Sequence, residues 1–171
     1  MTGPVSEGRN VSADEVLGSQ PGMEYEGPDD VPILNVTGEL AGEVIELRLP
    51  AMAEQIPLIR MLTHGVVARA DFGLDAIADA KMAVDEACAQ LVQLADLGAR
   101  LHCRFQPIAG GLCVSVSTTT TEPDPPSERT FGWHVLATLA RSVSSHHDAL
   151  PGETAGVTTI ELLLVPGTEA G

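Results

Sequence analysis

Apolar and polar residues fall into regular order from Glu43 onward. Ile45, Leu47 and Leu49 alternate with Glu46 and Arg48, the period of two that marks a strand with one wet face. Pro50 ends that run. A helical stretch follows over about 53–70, with Ile56, Ile59, Leu62 (or Thr63) and Val66 recurring every three or four residues. Pro57 sits in its first turn, where a missing amide hydrogen costs little. Gly65 weakens the later part by about 1 kcal/mol relative to alanine. A second helix opens at Leu74-Asp75 and carries Ile77, Val84, Cys88, Leu91 and Ala95 on one stripe, with Gly98 as its stop.

Two further strands come next. Leu101, Cys103 and Phe105 alternate with Arg100, His102 and Arg104, and Leu112, Val114 and Val116 alternate with Cys113, Ser115 and Ser117. The stretch from Pro107 to Gly111 joins them as a hairpin. Thr118 to Glu128 reads as a polar, proline-bearing loop. A third helix is predicted over about 131–143, burying Phe131, Val135, Leu136, Leu139 and Val143. A connection rich in Ser, His, Asp and Gly then leads to a last strand with Ile160, Leu162 and Leu164 inward. The order is strand, helix, helix, strand, strand, helix, strand. Each strand buries one face, so the pattern predicts a two-layer α/β sandwich with helices covering one side of a sheet.

Residues 1–40 show no such period. They are acidic, carry Arg9 as their single base and hold several Gly and Pro, a composition that does not repay the entropy of ordering. They are therefore expected to form a disordered tail ahead of one domain at 41–167. Over the 171 residues, 24 acids against 9 bases give a formal charge of −15. Such a surface repels phosphate, which argues against a nucleic-acid binder and against docking to anionic membrane, and suits a basic protein partner. Neither an export signal nor a membrane-spanning run is visible. The three cysteines, Cys88, Cys103 and Cys113, lack C-x-x-C spacing and read as reduced thiols of a cytoplasmic protein.

Candidate chemistry is sparse. On the second helix Asp79, Glu86, Gln90 and Gln93 share a sector opposite the apolar stripe, and Glu86 and Gln90 stack on neighbouring turns. An acid beside an amide on a rigid helix suits a divalent cation or a positioned water, against the simpler reading of a solvated face. Lys81 and Asp85 are spaced as a surface ion pair. His64, His102, His134, His146 and His147 are scattered without metal-ligand spacing. Cys103 and Cys113 are expected to face each other across the hairpin as packed thiols. No nucleophile elbow and no phosphate loop of the G-x-x-x-x-G-K type occurs.

Two segments, taken with the order of elements, resemble the RsbW-type anti-sigma factors of the GHKL (histidine-kinase-like) ATPase superfamily, and their actinobacterial branch in particular. Ala78 to Leu91 looks like the family's N-box helix, a Glu followed four residues later by an Asn. Phe131 to Ala140 is similar to the helix after the ATP lid, and Asp71 to Leu74 fits the start of the N-box helix. The resemblance covers about 43–165. It implies the histidine-kinase-like fold, a mixed sheet with helices on one face. It also implies binding to a stress or sporulation sigma factor, denying that factor to RNA polymerase core, and an anti-anti-sigma partner that counteracts it. A homodimer is implied as well. Many members use Mg-ATP to phosphorylate a serine or threonine of that partner, with the N-box Glu as general base and the Asn holding magnesium.

Carried across, Glu86 matches the acid, Gln90 stands where the pattern has Asn as the magnesium ligand, and Gly132 is what remains of the lid's glycine cluster. Gln90 keeps an amide oxygen but adds one methylene. The stretch Ser115 to Asp124, where family kinases carry Asp-x-Gly-x-Gly, contains no glycine. The expected function is therefore sequestration of a sigma factor with little or no phosphotransfer. The alternative is an active serine/threonine-protein kinase with Glu86 as base and Glu86, Gln90 and Gly132 at the nucleotide.

Overall fold

A computed structural model of the chain describes residues 42–167. The predicted tail lies outside them. Five strands form one sheet: β1 (Ile45–Pro50), β2 (Arg100–Ile108), β3 (Gly111–Thr120), β4 (Ser142–Ala149) and β5 (Gly156–Leu164). Three helices complete the domain: α1 (Ile56–Arg69), entered through a 3-10 turn at Ala53–Gln55, α2 (Leu74–Leu94) and α3 (Phe131–Leu139). None of the described helices is long and apolar enough to cross a membrane.

The sheet order is β1-β2-β3-β5-β4, and every neighbouring pair is antiparallel. The two expected layers are present, but the sheet is not mixed. Connectivity explains the difference. With two helices between β1 and β2 the chain reverses three times, so β2 returns antiparallel to β1. A single helix between β3 and β4 makes those strands parallel, yet β5 turns back and inserts between them, so no parallel pair is in contact.

Register sorts the side chains. Leu101, Cys103 and Phe105 of β2, Leu112, Val114 and Val116 of β3, and Ile160, Leu162 and Leu164 of β5 share one core with Ile59, Val66 and Val67 of α1 and the buried stripe of α2. On α2 that stripe is Ala76, Ile77, Ala80, Ala83, Val84, Ala87, Cys88 and Leu91. Half of it is alanine, which combines high helix propensity with close approach of neighbouring backbone. Asp71, at φ 57°, makes the sharp turn between α1 and α2.

Several sequence expectations are corrected. The connection after α3 is itself a strand, β4, at the sheet edge. Its residues are mostly polar and none is fully buried, so it lacks the apolar alternation that marks the inner strands. Val143 belongs to it rather than to α3, which ends at Leu139. The buried side of α3 is Trp133 and Leu136, while Phe131 is 85 % exposed. β3 continues to Thr120, through residues expected to open a loop. Cys103 sits opposite Val116 and Cys113 opposite Gln106, so the two thiols point to opposite faces of the sheet. The partner of Asp85 is Arg60 of α1, at 2.6 Å, not a bond to Lys81.

Candidate functional site

The N-box-like residues lie where α3 meets α2. Glu86 and Gln90 are one turn apart and half-buried, and Gln90 Nε2 donates to Glu86 Oε1 at 2.9 Å. α3 is capped by Thr130, whose Oγ1 accepts from the Trp133 amide at 3.2 Å. Trp133, 6 % exposed, and the fully buried Leu136 then anchor α3 in the core. That docking brings Gly132 flat against the two α2 side chains. A methyl group there would collide with Glu86 Oε1 and stand 2.7 Å from Gln90 Nε2. A side chain at this position would require the ends of Glu86 and Gln90 to move aside.

The structure therefore joins Glu86, Gln90 and Gly132, from two elements far apart in sequence. Asp79 and Gln93 stay exposed on α2 and do not join them. A Glu and a Gln four apart signal the α2 pair. Nothing local signals the contact with Gly132, which depends on how α3 docks.

Mg-ATP is the ligand that the resemblance to the GHKL superfamily implies for this cluster. A nucleotide site needs an open carboxylate, an amide oxygen turned to the metal, and free backbone amides for phosphate. Here one oxygen of the Glu86 carboxylate accepts from Gln90 Nε2 on the same helix and lies close to Gly132. Two amides of the first turn of α3 are already used: that of Trp133 bonds Thr130 Oγ1 and that of His134 bonds the Thr130 carbonyl, at 3.2 Å each. The segment leading to α3 contains Pro123, Pro125 and Pro126 and no glycine. Its start is tied to the end of α2, because Asp96 Oδ1 accepts from both the amide and the hydroxyl of Thr121 at 3.0 Å. As arranged, these residues do not fit Mg-ATP.

Two polar residues of the neighbouring strands, Thr118 and His147, find partners within the protein. Thr118 Oγ1 donates to the Arg100 carbonyl at 3.1 Å, and His147 Nδ1 pairs with Thr158 Oγ1 at 2.8 Å. His147 and His146 point to opposite sides of β4, and His146 faces Asp148 at 3.4 Å. Among the described residues, no cluster of three or more His, Cys, Asp or Glu could hold a metal. The perturbed titrating groups serve packing. Burial raises the Asp85 pKa against the lowering pull of Arg60 and Lys81. The Cys88 thiol is pushed well up, chiefly by its hydrogen bond with Cys103 and then by burial.

One surface feature had no sequence forecast. Met82 of α2 and Phe131, His134, Val135, Thr138 and Leu139 of α3 line an apolar cleft of about 250 Å³. Phe131 and Met82 are 85 % and 50 % exposed, so the cleft opens outward beside the Glu86 cluster.

No family model matches the chain. Individual relatives do. It is 33 % identical over 112 residues to the anti-sigma-F factor RsbW of Mycobacterium tuberculosis (strain H37Rv), covering 66 % of this chain and 67 % of that protein. It is 45 % identical over 51 residues to the serine-protein kinases RsbW of Bacillus cereus (strain AH187) and Bacillus thuringiensis (strain Al Hakam), a match to 30 % of this chain and 32 % of each of theirs. The likeness over two-thirds of the mycobacterial protein agrees with the helix-covered sheet and the α2–α3 cluster: the chain belongs to the RsbW family of anti-sigma factors.

Proposed function

We propose that this chain is an anti-sigma factor that binds an alternative sigma factor of the stress or sporulation type and keeps it from RNA polymerase core. An anti-anti-sigma protein counteracts it by competing for the same molecule. The observation that carries this reading is the extended likeness to an anti-sigma-F factor, at 33 % identity over two-thirds of both chains. The charge of −15 supports it, because an acidic surface attracts basic faces of a partner and repels nucleic acid. The protein acts in the cytoplasm, as a homodimer, with no direct contact to DNA or membrane.

A second reading is favoured by the Bacillus relatives, whose names describe serine-protein kinases. In it Glu86 is the general base and Gln90 holds magnesium near Gly132. The glycine-free approach to α3 and the engaged Glu86 carboxylate support the first reading over this one. Co-purification of the full chain with each alternative sigma factor of its host tests the proposal. One stable complex is expected, and failure to retain any of them removes it. Transfer of labelled phosphate from ATP to a serine or threonine of the anti-anti-sigma protein would instead establish the kinase.

A further inference from the structure

We infer that two copies of this chain pair through the helix-free face of the sheet, about a twofold axis along β3, with Arg104 of each copy facing the partner's Glu161. This rests on the homodimer reading above and names its surface.

All three helices share the core with one face of the sheet. On the other face, register sets Glu46, Arg104, Ser115, Glu161 and Ser144 in one row across the five strands. Packing within a single chain leaves that face unfinished. Among the described residues, seven side chains hold a buried polar atom that makes no hydrogen bond. Six of them, His102, Arg104, Gln106, Ser144, Thr159 and Glu161, project from this face. Glu161 is 4 % exposed, and its Oε1 accepts from no donor. Arg104 Nε stands 3.5 Å from Glu46 Oε1, an ion pair without a hydrogen bond. Native proteins rarely leave so many buried polar atoms unmet on one surface.

The row itself is self-complementary. Arg104 on β2 and Glu161 on β5 lie one strand to either side of Ser115, roughly 10 Å apart. A half turn about β3 exchanges their places. A second copy laid face to face therefore sets Arg104 over the partner's Glu161 twice, and Ser144 over the partner's Glu46. Ser115, small and on the axis, lets the sheets close to the usual spacing of about 10 Å. A charge of −15 keeps copies apart elsewhere, but Arg48, Arg100 and Arg104 place three of the nine Lys and Arg on this face. Five strands offer roughly 600 Å² per copy, so the pair buries about 1,200 Å², enough for a specific interface.

Sedimentation of the full chain tests the pairing. The parent should be a dimer, and Arg104→Glu or Glu161→Arg should each weaken association about tenfold or more, because like charges then face each other. Mixing the two variants should restore a dimer, since each copy now supplies the charge that the other lacks. Circular dichroism confirms that the variants are folded. Should Glu161→Arg not fold, Ser115→Cys decides: its thiols lie at the axis, so a bis-maleimide about 10 Å long should join the two copies. Variants that pair like the parent, a mixture that stays monomeric, or a dimer without that cross-link overturns this surface and leaves the homodimer reading standing. A parent that is monomeric at every concentration removes both. If Arg104→Glu then also loses the sigma factor, the face belongs to that partner instead.

Discussion

At Gly65, in the middle of α1, an added methyl group meets nothing within 4 Å. Gly65→Ala should therefore raise stability by up to about 1 kcal/mol, because it removes backbone freedom from the unfolded chain at no steric cost. At Gly111 the same methyl would run into the Leu164 carbonyl, a backbone atom fixed in the β3–β5 ladder. Gly111→Ala should lower the melting temperature where Gly65→Ala raises it, and two thermal scans settle both. The ion pair between α1 and α2 gives a pH-dependent test. Burial lifts the folded Asp85 pKa above its ordinary 3.8, and Arg60 pulls it part of the way back. The folded state therefore holds this proton longer than the unfolded one does. Its contribution to stability is complete below about pH 3.8 and is lost as pH rises through the folded midpoint. Arg60→Ala should push that midpoint higher and deepen the loss at neutral pH. A carboxyl-carbon NMR titration reads the shift, and an unmoved or lower midpoint contradicts it.

Among the elements, α2 was the most legible, because 21 residues of helical period leave little ambiguity about which side is buried. β4 was hidden by composition. An edge strand of Ser-Val-Ser-Ser-His-His-Asp-Ala pairs on one side only, so its polar residues read as a connection until β5 supplies the ladder. The face of α3 is legible in part: Leu136 is buried and Leu139 packs on the core as expected, but Trp133 takes the place expected of Phe131. Nine residues span too few turns to define a face, and Trp133 outweighs Phe131 once the helix docks. The candidate site divides the same way. The spacing of Glu86 and Gln90 is local, whereas the seat of Gly132 against them is set by Trp133 and Leu136 in the core. The orientation of α3 makes its own prediction. Leu136→Ala should cost about 2–5 kcal/mol in urea unfolding, and Phe131→Ser should stay within about 0.5 kcal/mol of the parent. Similar losses from both would mean that α3 packs by the face first inferred from sequence.

On the scale of the molecule, charge governs encounter more than grip. With a net −15, association with a basic face of a sigma factor should slow about tenfold between low salt and 0.5 M salt, while dissociation changes much less. Stopped-flow mixing across that range measures both, and a salt-independent on-rate would remove electrostatic steering from the account. The core also carries its own instruments. Trp133 is the single tryptophan and sits under α3, while Cys88 on α2 and Cys103 on β2 are 0 % and 1 % exposed where the helix layer meets the sheet. A thiol reagent reaches those sulfurs only when that seam parts, and indole emission shifts when α3 leaves its seat. The native chain thus holds a chemical clock for one layer and an optical gauge for the other, and whether the two run together shows whether α3 can lift while the rest of the domain stays closed.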